Sequence, residues 1–440
     1  MVARWFTAEM DFCMALRTSE VFGLNTKISE YSYVDRGNLD VDIAKLNTRN
    51  QHISLKGESK SGKSWLRQKN FPEAVVVQCR IGFGPIDIFS SVLGALGVEL
   101  RQATVSTTAG GLEFTGAGDV GWSLLAKAEI AVNASGRAER SIERKPVGKD
   151  VNDLQFICEI IKASDRKVVI EDFHYLTTNA QRELAHDLKA MWDYGVYIVI
   201  VGVWIRRNYL TYLNPDLAGR ITEVSVYWND DDLRAVVRKG CSALNVAISP
   251  KIVAGIISDS FGNVGLLQTL ALGTLDHSGI SERGFFQKKC DDERAYEEAA
   301  LLYAEQLEAV YLEFARRVSQ GIRKRKGSTK IYAHAMWAIF DSAAEELIVG
   351  VSVDTIFDRA NARQPRIQKG NLKSIMDKLD GLQIDDRGKG LVVTYAEQSG
   401  SVAVVDRTVL FYRKYCTVEW PWKDIIDSTE EDGLESDKSY

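Results

Sequence analysis

Short apolar runs alternate with amphipathic segments through the first half of the chain. Apolar runs at 74–78, 167–170 and 197–201 are rich in β-branched residues and have the length of buried strands. Residues 51–56 alternate like a strand, and 222–226 is predicted to be a further short strand. Between them lie segments with apolar residues at helical spacing; these begin near Lys63 and cover about 85–98 and 179–194. Strands that alternate with helices predict an α/β fold whose parallel sheet is covered on both faces.

The second half of the chain has a different pattern. Residues 230–326 have a helical pattern throughout, and helices are predicted near 331–347, 353–361 and 368–380. Two strands follow near 391–396 and 402–412, and 404–413 resembles the last strand of a wing. Three helices and a β-hairpin are typical of a winged helix.

These changes of pattern predict four regions. They are a core at 1–228, a helical lid and linker at 229–328, a winged-helix domain at 329–420 and an acidic disordered tail at 421–440. Residues 100–150, rich in Gly, Ala, Thr and Ser, are interpreted as an insertion into the core.

Composition narrows the class of protein. The 440 residues are 45% hydrophobic and 26% charged, which is ordinary for a globular chain. The net charge of −5 excludes a generally basic nucleic-acid coat. The six cysteines form no Cys-x-x-Cys pair, and no apolar run reaches the length of a membrane span. We therefore expect a cytoplasmic protein without a signal peptide.

The loop after the first strand carries the most specific motif. Residues 57–64 read Gly57, Glu58, Ser59, Lys60, Ser61, Gly62, Lys63, Ser64, which is the pattern G-x-x-x-x-G-K-S. The glycines permit a tight turn whose N–H groups and following helix N-terminus face an anion. Lys63 would reach the β- and γ-phosphates, and the Ser64 hydroxyl would bind Mg²⁺. The motif predicts a P-loop, but it does not decide between ATP and GTP.

A second strand ends in two carboxylates, Glu171 and Asp172. A P-loop site needs an acidic residue near Mg²⁺ and a base that orients the attacking water. By position, we assign Glu171 to the metal shell and Asp172 to the water, with both near the metal. Because the shorter Asp stands in the second place, we expect hydrolysis to be slow.

Several segments together resemble the AAA+/STAND group of ATPases. They are 33–36, 59–64, 170–176, 200–204 and 216–220, and the resemblance covers roughly 25–280. Within that group the chain is similar to the branch near origin-recognition and transposon ATPases. The resemblance implies ATP and Mg²⁺ as cofactors, a homo-oligomer and an effector protein as partner.

The resemblance also implies roles for single residues. Arg36 would lie near the base or ribose, and Arg220 would be an arginine finger that reaches the γ-phosphate of a neighbouring subunit. The alternatives are a surface arginine and a structural arginine, respectively. Two positions depart from the family pattern. The strand at 197–201 is followed by Gly202, Val203 and Trp204 instead of a polar sensor, and the lid segment 261–265 has Asn263 but no arginine at the usual sensor-two position.

Basic residues of the second half suggest a partner. They lie in 316–326 and 359–389, where they could bind duplex DNA or form a solvated face used for protein contacts.

Three functions remain open from the sequence. The first is an ATP-binding, slowly hydrolysing switch that assembles and signals to a partner, with bacterial antiviral defence as one setting suggested by the resemblance. The second is a DNA-binding ATPase for loading, remodelling or transposition. The third is a nucleotide-sensing winged-helix transcription regulator.

Overall fold

The computed structural model describes residues 16–98, 150–204, 206–321, 329–383, 391–397 and 399–427. Its residues group into two compact units. Among the described residues, the sheet unit comprises 37–57 and 63–226, and the helical unit comprises 16–36, 58–62 and 227–427. The predicted insertion at 100–150 lies, apart from its last residue, outside the described residues.

The sheet unit is built on five parallel strands, which confirms the predicted α/β class. The strands are β1 (His52–Lys56), β2 (Val75–Gln78), β3 (Val168–Glu171), β4 (Val199–Gly202) and β5 (Ile221–Ser225). Their order across the sheet is β2-β3-β4-β1-β5, so β4 lies between β1 and β3. The carboxyl ends of β1, β3 and β4 therefore meet at one edge.

Helices cover both faces of this sheet. They are α2 (Leu39–Asn47), α3 (Lys63–Asn70), α4 (Pro85–Ala95), α5 (Leu154–Ser164), α6 (Thr178–Asp193) and α7 (Tyr209–Leu213). Alternate residues of β3 belong to different cores: Ile170 packs with α4, α5 and α6, whereas Val169 packs with α2 and α3. Because successive strand side chains point to opposite faces, a strand that is apolar throughout is buried on both.

The first part of the helical unit is α-helical with one small sheet. Its elements are α1 (Thr18–Val21), α8 (Asp230–Leu244), β6 (Val246–Ile248), α9 (Pro250–Asp259), α10 (Val264–His277), β7 (Lys288–Cys290) and α11 (Glu293–Gln320). The prediction of helix throughout 230–326 was wrong at β6 and β7, which pair in parallel. Asn245 adopts a left-handed conformation with φ 56°, and this ends α8.

The carboxyl-terminal part contains five helices before its last strands. They are α12 (Ile331–Phe340), α13 (Ala344–Val349), α14 (Val353–Arg363), α15 (Lys369–Met376) and α16 (Leu379–Gln383). Three strands form an antiparallel sheet in the order β8-β10-β9; they are β8 (Val351–Ser352), β9 (Val393–Ala396) and β10 (Ser401–Val404).

The predicted strand at 402–412 was wrong beyond β10. The chain turns at Asp406, whose carboxylate accepts a hydrogen bond from the Thr408 N–H at 3.1 Å. Residues Thr408–Tyr415 then form helix α17. Four consecutive apolar side chains, Val409–Tyr412, are all buried there. A short run that is buried on every side fits a strand and a helix equally well, so periodicity could not separate them.

The predicted tail at 421–440 also begins too early. Residues 421–427 are helical, and Trp422 and Ile426 are buried. Trp422 stacks on Trp420 at 4.5 Å between ring centroids, so aromatic packing orders the start of this acidic segment. Residues 428–440 lie outside the described part of the chain.

No helix within the described residues is long and apolar enough to cross a membrane. The described cysteines, Cys79, Cys158, Cys241, Cys290 and Cys416, are all free thiols.

Candidate nucleotide site

The two ends of the predicted P-loop lie in the sheet unit. Gly57 follows β1, and Lys63 begins α3. The Lys63 ammonium donates a hydrogen bond to the Gly57 carbonyl at 3.0 Å, so the lysine folds back over the start of the loop. Ser64 is exposed in the first turn of α3, where a helix N-terminus favours an anion.

The middle of the loop, residues 58–62, belongs to the helical unit, where its carbonyl groups are held. The Asn263 side-chain amide donates to the Ser59 carbonyl at 2.9 Å, and the Gly265 N–H donates to the Lys60 carbonyl at 3.1 Å. The Trp228 indole N–H donates to the Ser61 carbonyl at 2.9 Å.

These contacts orient the loop. The carbonyl and N–H of one trans peptide point in opposite directions, so the N–H groups of Lys60 and Gly62 point away from the residues that bind the carbonyls. Lys60 and Gly62 have positive φ angles of 59° and 81°. Backbone that alternates in this way forms a concave nest of N–H groups, which is suited to a phosphate.

The Arg36 side chain contacts the loop and Trp228. Arg36 is 2% exposed, its guanidinium donates to the Ser61 carbonyl at 3.4 Å, and it stacks over the Trp228 ring at 4.2 Å. In the structure Arg36 therefore positions the loop, and its predicted contact with a base or ribose stays a prediction.

Glu58, the second residue of the loop, forms an ion pair with Arg407. Both side chains are less than a fifth exposed, at 18% and 17%. The Arg407 guanidinium also donates to the Phe261 carbonyl at 2.7 Å, two residues before Asn263. Arg407 immediately precedes α17, so one guanidinium connects the loop, the α9–α10 turn and the start of α17. We call these contacts the Arg407 latch.

The two predicted carboxylates have different surroundings at the end of β3. Glu171 is buried and forms an ion pair with Arg67 of α3 at 3.0 Å. Asp172 follows in a left-handed conformation with φ 58°. Burial raises the pKa of Asp172, the Glu171 carboxylate raises it further, and Lys63 partly offsets this. Burial and the neighbouring carboxylate thus both disfavour the charged form of Asp172.

His174 lies two residues after Asp172, in the short 3-10 segment Phe173–Tyr175. Burial, assisted by the charge of Lys63, lowers its pKa to about 4, so the imidazole is neutral at pH 7. This favours a packing or hydrogen-bonding role over a cationic one.

A tryptophan occupies the space where a polar sensor was expected. Trp204 packs edge-on against Phe173 at 6.0 Å, and a Cβ on Gly202 would lie 2.4 Å from its ring. The Trp204 indole N–H donates to Glu223 at 3.1 Å, and Glu223 also pairs with the buried Lys56 at 3.0 Å. Glu223 of β5 therefore supplies a polar group beside the end of β4, and the sequence pattern did not single it out.

Arg220 lies at the opposite edge of the sheet from Gly57. Its carbonyl accepts from the His52 N–H at 2.8 Å, at the start of β1, whereas Gly57 follows the end of β1. Its guanidinium donates to the Asp216 carbonyl at 2.6 Å and stacks over Trp192 at 4.7 Å. Arg220 is thus remote from the loop of its own subunit.

Much of the predicted basic face is occupied by contacts within the helical unit. Arg359 donates to Ser342, Arg363 stacks over Trp337, Lys369 pairs with Asp354 and Arg317 pairs with Glu313. Lys373 and Lys378 are exposed. Several other basic residues of 316–326 and 359–389 lie outside the described residues: Arg323, Lys324, Arg325, Lys326, Arg387 and Lys389.

One solved structure supports the assignment of the fold, and others match more distantly. The Walker-type ATPase PABY2304 of Pyrococcus abyssi matches with a TM-score of 0.53 at 13% identity, over 90% of this chain and 99% of that chain. Two more distant matches are Orc1 of Aeropyrum pernix in complex with DNA and Cdc6p of Pyrobaculum aerophilum. The first has a TM-score of 0.39 at 10% identity, over 87% and 92% of the two chains. The second has a TM-score of 0.38 at 10% identity, over 94% and 100%.

No family model matches the chain, and no curated protein matches it. The chain therefore has the fold of P-loop ATPases, with a helical carboxyl-terminal region. The narrower assignment to the origin-recognition and transposon branch stays a prediction.

Proposed function

We propose that this protein is an ATP-dependent conformational switch. In this proposal ATP binds at the loop 57–64, is hydrolysed slowly, and changes the conformation of the helical unit so that subunits assemble and signal to a partner protein. Antiviral defence remains a setting suggested by the sequence resemblance.

The observation that carries the proposal is the set of contacts on the carbonyl side of the loop. Asn263 and Gly265 bind Ser59 and Lys60, and the Arg407 latch binds Glu58. A phosphate that binds the N–H side of these peptides changes the position or charge of the loop. That change would reach α10 and α17 directly, because Asn263, Gly265 and Arg407 at their amino-terminal ends contact the loop. A ligand can shift a conformational equilibrium only through such differential contacts.

The oxygen donors near the loop fit Mg²⁺. The Ser64 hydroxyl, Glu171 and Asp172 are hard oxygen ligands, and the raised pKa of Asp172 is what a nearby cation would reverse. Among the described residues no group of three or more His, Cys, Asp or Glu could hold a metal by itself. Bound Mg²⁺ would neutralise phosphate charge during transfer.

Two features of the site support slow hydrolysis. Asp172, the proposed residue for the attacking water, has a shorter side chain than Glu. Trp204 lies where a polar sensor was expected, and its indole N–H is directed to Glu223. A switch needs a long-lived ATP state, which a poorly positioned water provides.

The position of Arg220 supports a role between subunits. Because it lies across the sheet from its own loop, a γ-phosphate that it contacts would belong to a neighbour. Its Asp216 and Trp192 contacts hold the guanidinium in a defined orientation, as an arginine finger requires.

Light scattering of the purified protein tests the proposal. In the absence of DNA, we expect ATP and Mg²⁺ to increase the molecular mass of the particles in solution. The Lys63→Ala substitution should abolish this increase. Lys69→Ala is the matched control, since it removes a lysine from the other end of α3. A monomer under every condition, with normal ATP binding, would rule out the assembly part of the switch.

A DNA-binding ATPase is the second candidate, and the architecture of the carboxyl-terminal region favours it. Helices α12, α14 and α15 and the β9–β10 hairpin have the order of a winged helix, and Lys373 and Lys378 are exposed on it. In the same experiment, assembly that requires duplex DNA would favour this candidate. Sequence-specific binding with negligible hydrolysis would favour the transcription regulator.

A further inference from the structure

Two adjacent phenylalanines of the helical unit are fully exposed. The solvent-accessible areas of Phe285 and Phe286 are 103% and 88% of the reference value for a fully exposed phenylalanine. No other large hydrophobic residue among those described is as exposed. They lie in residues 282–289, which we call the Phe tip; this segment follows α10 and includes the first two residues of β7. Single exposed apolar residues are common, but two neighbouring exposed rings are unusual and point to a binding surface.

The tip is held in place by its backbone. The Asn245 side-chain amide donates to the carbonyls of Gly284 and Phe285 at 3.1 and 3.3 Å. The Arg283 N–H donates to the Leu16 carbonyl at 2.8 Å. A Cβ on Gly284 would lie 2.8 Å from the Phe286 carbonyl oxygen, so the turn requires glycine. On this fixed backbone both rings project into solvent.

The residues around the rings are basic. The tip contains Arg283, Lys288 and Lys289 and one acid, Glu282, which gives a local charge of 3 − 1 = +2 in a chain of net charge −5. Arg283 and Lys289 are exposed. The Lys288 ammonium donates to the Glu282 carbonyl at 3.3 Å, which places that charge across the base of the tip.

We propose that the Phe tip binds single-stranded nucleic acid. Unstacked bases offer flat apolar faces on which aromatic rings stack, and the phosphates between them attract the flanking cations. These are the two features that the tip combines. A lipid surface also combines an apolar region with phosphates. However, two side chains bury too little apolar area for stable anchoring, since even a single acyl chain binds a membrane only marginally. The proposal is independent of the ATP switch.

Fluorescence anisotropy with a labelled oligothymidine tests the proposal on the full chain. We expect Phe285→Ala/Phe286→Ala to weaken binding by at least about tenfold, because each stacked ring contributes substantially to single-strand affinity. The double Trp variant keeps a stacking surface and should bind at least as tightly as the original protein. The double Leu variant keeps apolar area without an aromatic face and should bind as weakly as the Ala variant.

Charge and folding controls complete the experiment. Lys289→Glu should weaken binding and reduce its salt dependence, because one phosphate contact is lost. Leu302→Ala removes another exposed apolar side chain of the helical unit and should leave binding unchanged. The rings are exposed, so the unfolding temperature should be the same for all Phe variants.

Three outcomes would overturn the proposal. The first is that the original protein does not bind the oligonucleotide. The second is that the Leu variant binds as tightly as the original, which would indicate an apolar protein partner. The third is that binding to vesicles containing anionic lipid depends on the rings while oligonucleotide binding does not, which would indicate a membrane contact.

Discussion

Arg67 of α3 donates to Glu171 at the end of β3 at a distance of 3.0 Å, with the two side chains 15% and 6% exposed. The pair joins the helix that follows the P-loop to the strand that carries the candidate carboxylates. The pair also gives the two adjacent acids different surroundings. Glu171 has a cationic partner, whereas the pKa of Asp172 is raised by burial and by Glu171 itself.

Loss of Arg67 should destabilise the sheet unit. Arg67→Ala leaves the buried Glu171 carboxylate without its partner, which typically costs about 3–5 kcal/mol in free energy of unfolding. Urea denaturation measures the loss. Arg67→Ala/Glu171→Gln, which removes the charge as well, should recover most of it. Equal stability of the single and double variants would mean that the pair does not compensate the buried charge.

The two carboxylates should differ in their effect on hydrolysis. We expect Asp172→Asn to keep ATP binding but to lower the hydrolysis rate by about 100-fold or more, as for loss of a general base. Glu171→Gln should instead weaken the dependence of binding on Mg²⁺. A phosphate-release assay and a titration with labelled ATP separate the two effects. Identical effects of the two substitutions on rate and on Mg²⁺ dependence would contradict the assignment.

The Arg407 latch should control how readily the loop releases nucleotide. Arg407→Ala removes the contacts with Glu58 and Phe261, and we expect release of a fluorescent ADP analogue to become roughly fivefold faster or more, the size of a typical coupling between sites. Stopped-flow fluorescence measures the rate. Arg316→Ala, an exposed arginine of α11, is the control. Unchanged release from Arg407→Ala would separate the latch from the nucleotide.

Arg220 should act on the nucleotide of a neighbouring subunit. Alone, Arg220→Ala and Lys63→Ala should each lack measurable hydrolysis. A mixture of the two variants should recover part of the hydrolysis activity. The Lys63→Ala subunit still supplies Arg220 to the intact loop of a neighbouring Arg220→Ala subunit. Arg220→Lys keeps the charge and tests whether the planar guanidinium is needed. Absence of recovery in assemblies that contain both subunits would argue for a structural role.

His52 should destabilise the folded protein in mild acid. The Ile198 N–H donates to its Nδ1 at 3.1 Å, so the proton lies on Nε2, which donates to the Leu188 carbonyl at 2.9 Å. Burial lowers its pKa from 6.5 to about 4. Between these values the unfolded chain binds the proton and the folded chain does not. Stability is therefore complete above pH 6.5 and falls by roughly 1.4 kcal/mol per pH unit as the pH drops toward 4.

Comparison with His52→Gln isolates this effect, because glutamine can donate and accept at the same positions without titrating. Other groups contribute to the pH dependence of the original protein: His174 and His334 act in the same direction, and Asp187, whose pKa is raised to about 6, acts in the opposite one. The difference between the two proteins in urea denaturation at pH 7, 6 and 5 should grow with acidity. A constant difference would mean that His52 titrates normally.

The sequence by itself determined the sheet and the loop. Strands such as Val168–Glu171 are apolar up to their last residue because both faces of the sheet are covered, and this requirement is local enough to read from composition. The P-loop motif is equally local, since its glycines and lysine act through the backbone of one turn. The prediction failed where a short apolar run is buried on all sides, as in Val409–Tyr412. In such a run the apolar residues are consecutive, so the sequence shows neither the period of a helix nor that of a strand.

The tertiary structure alone decided which side chains meet at the site. Nothing in the sequence pairs Glu58 with Arg407, Glu171 with Arg67 or Glu223 with Trp204, because each pair combines ordinary residues that are distant along the chain. Their charges interact only after packing has removed water and fixed the distances. The same holds for Phe285 and Phe286, whose exposure results from the backbone contacts of Asn245 and Leu16. Patterns along a chain record which groups are buried, and only the fold determines their partners.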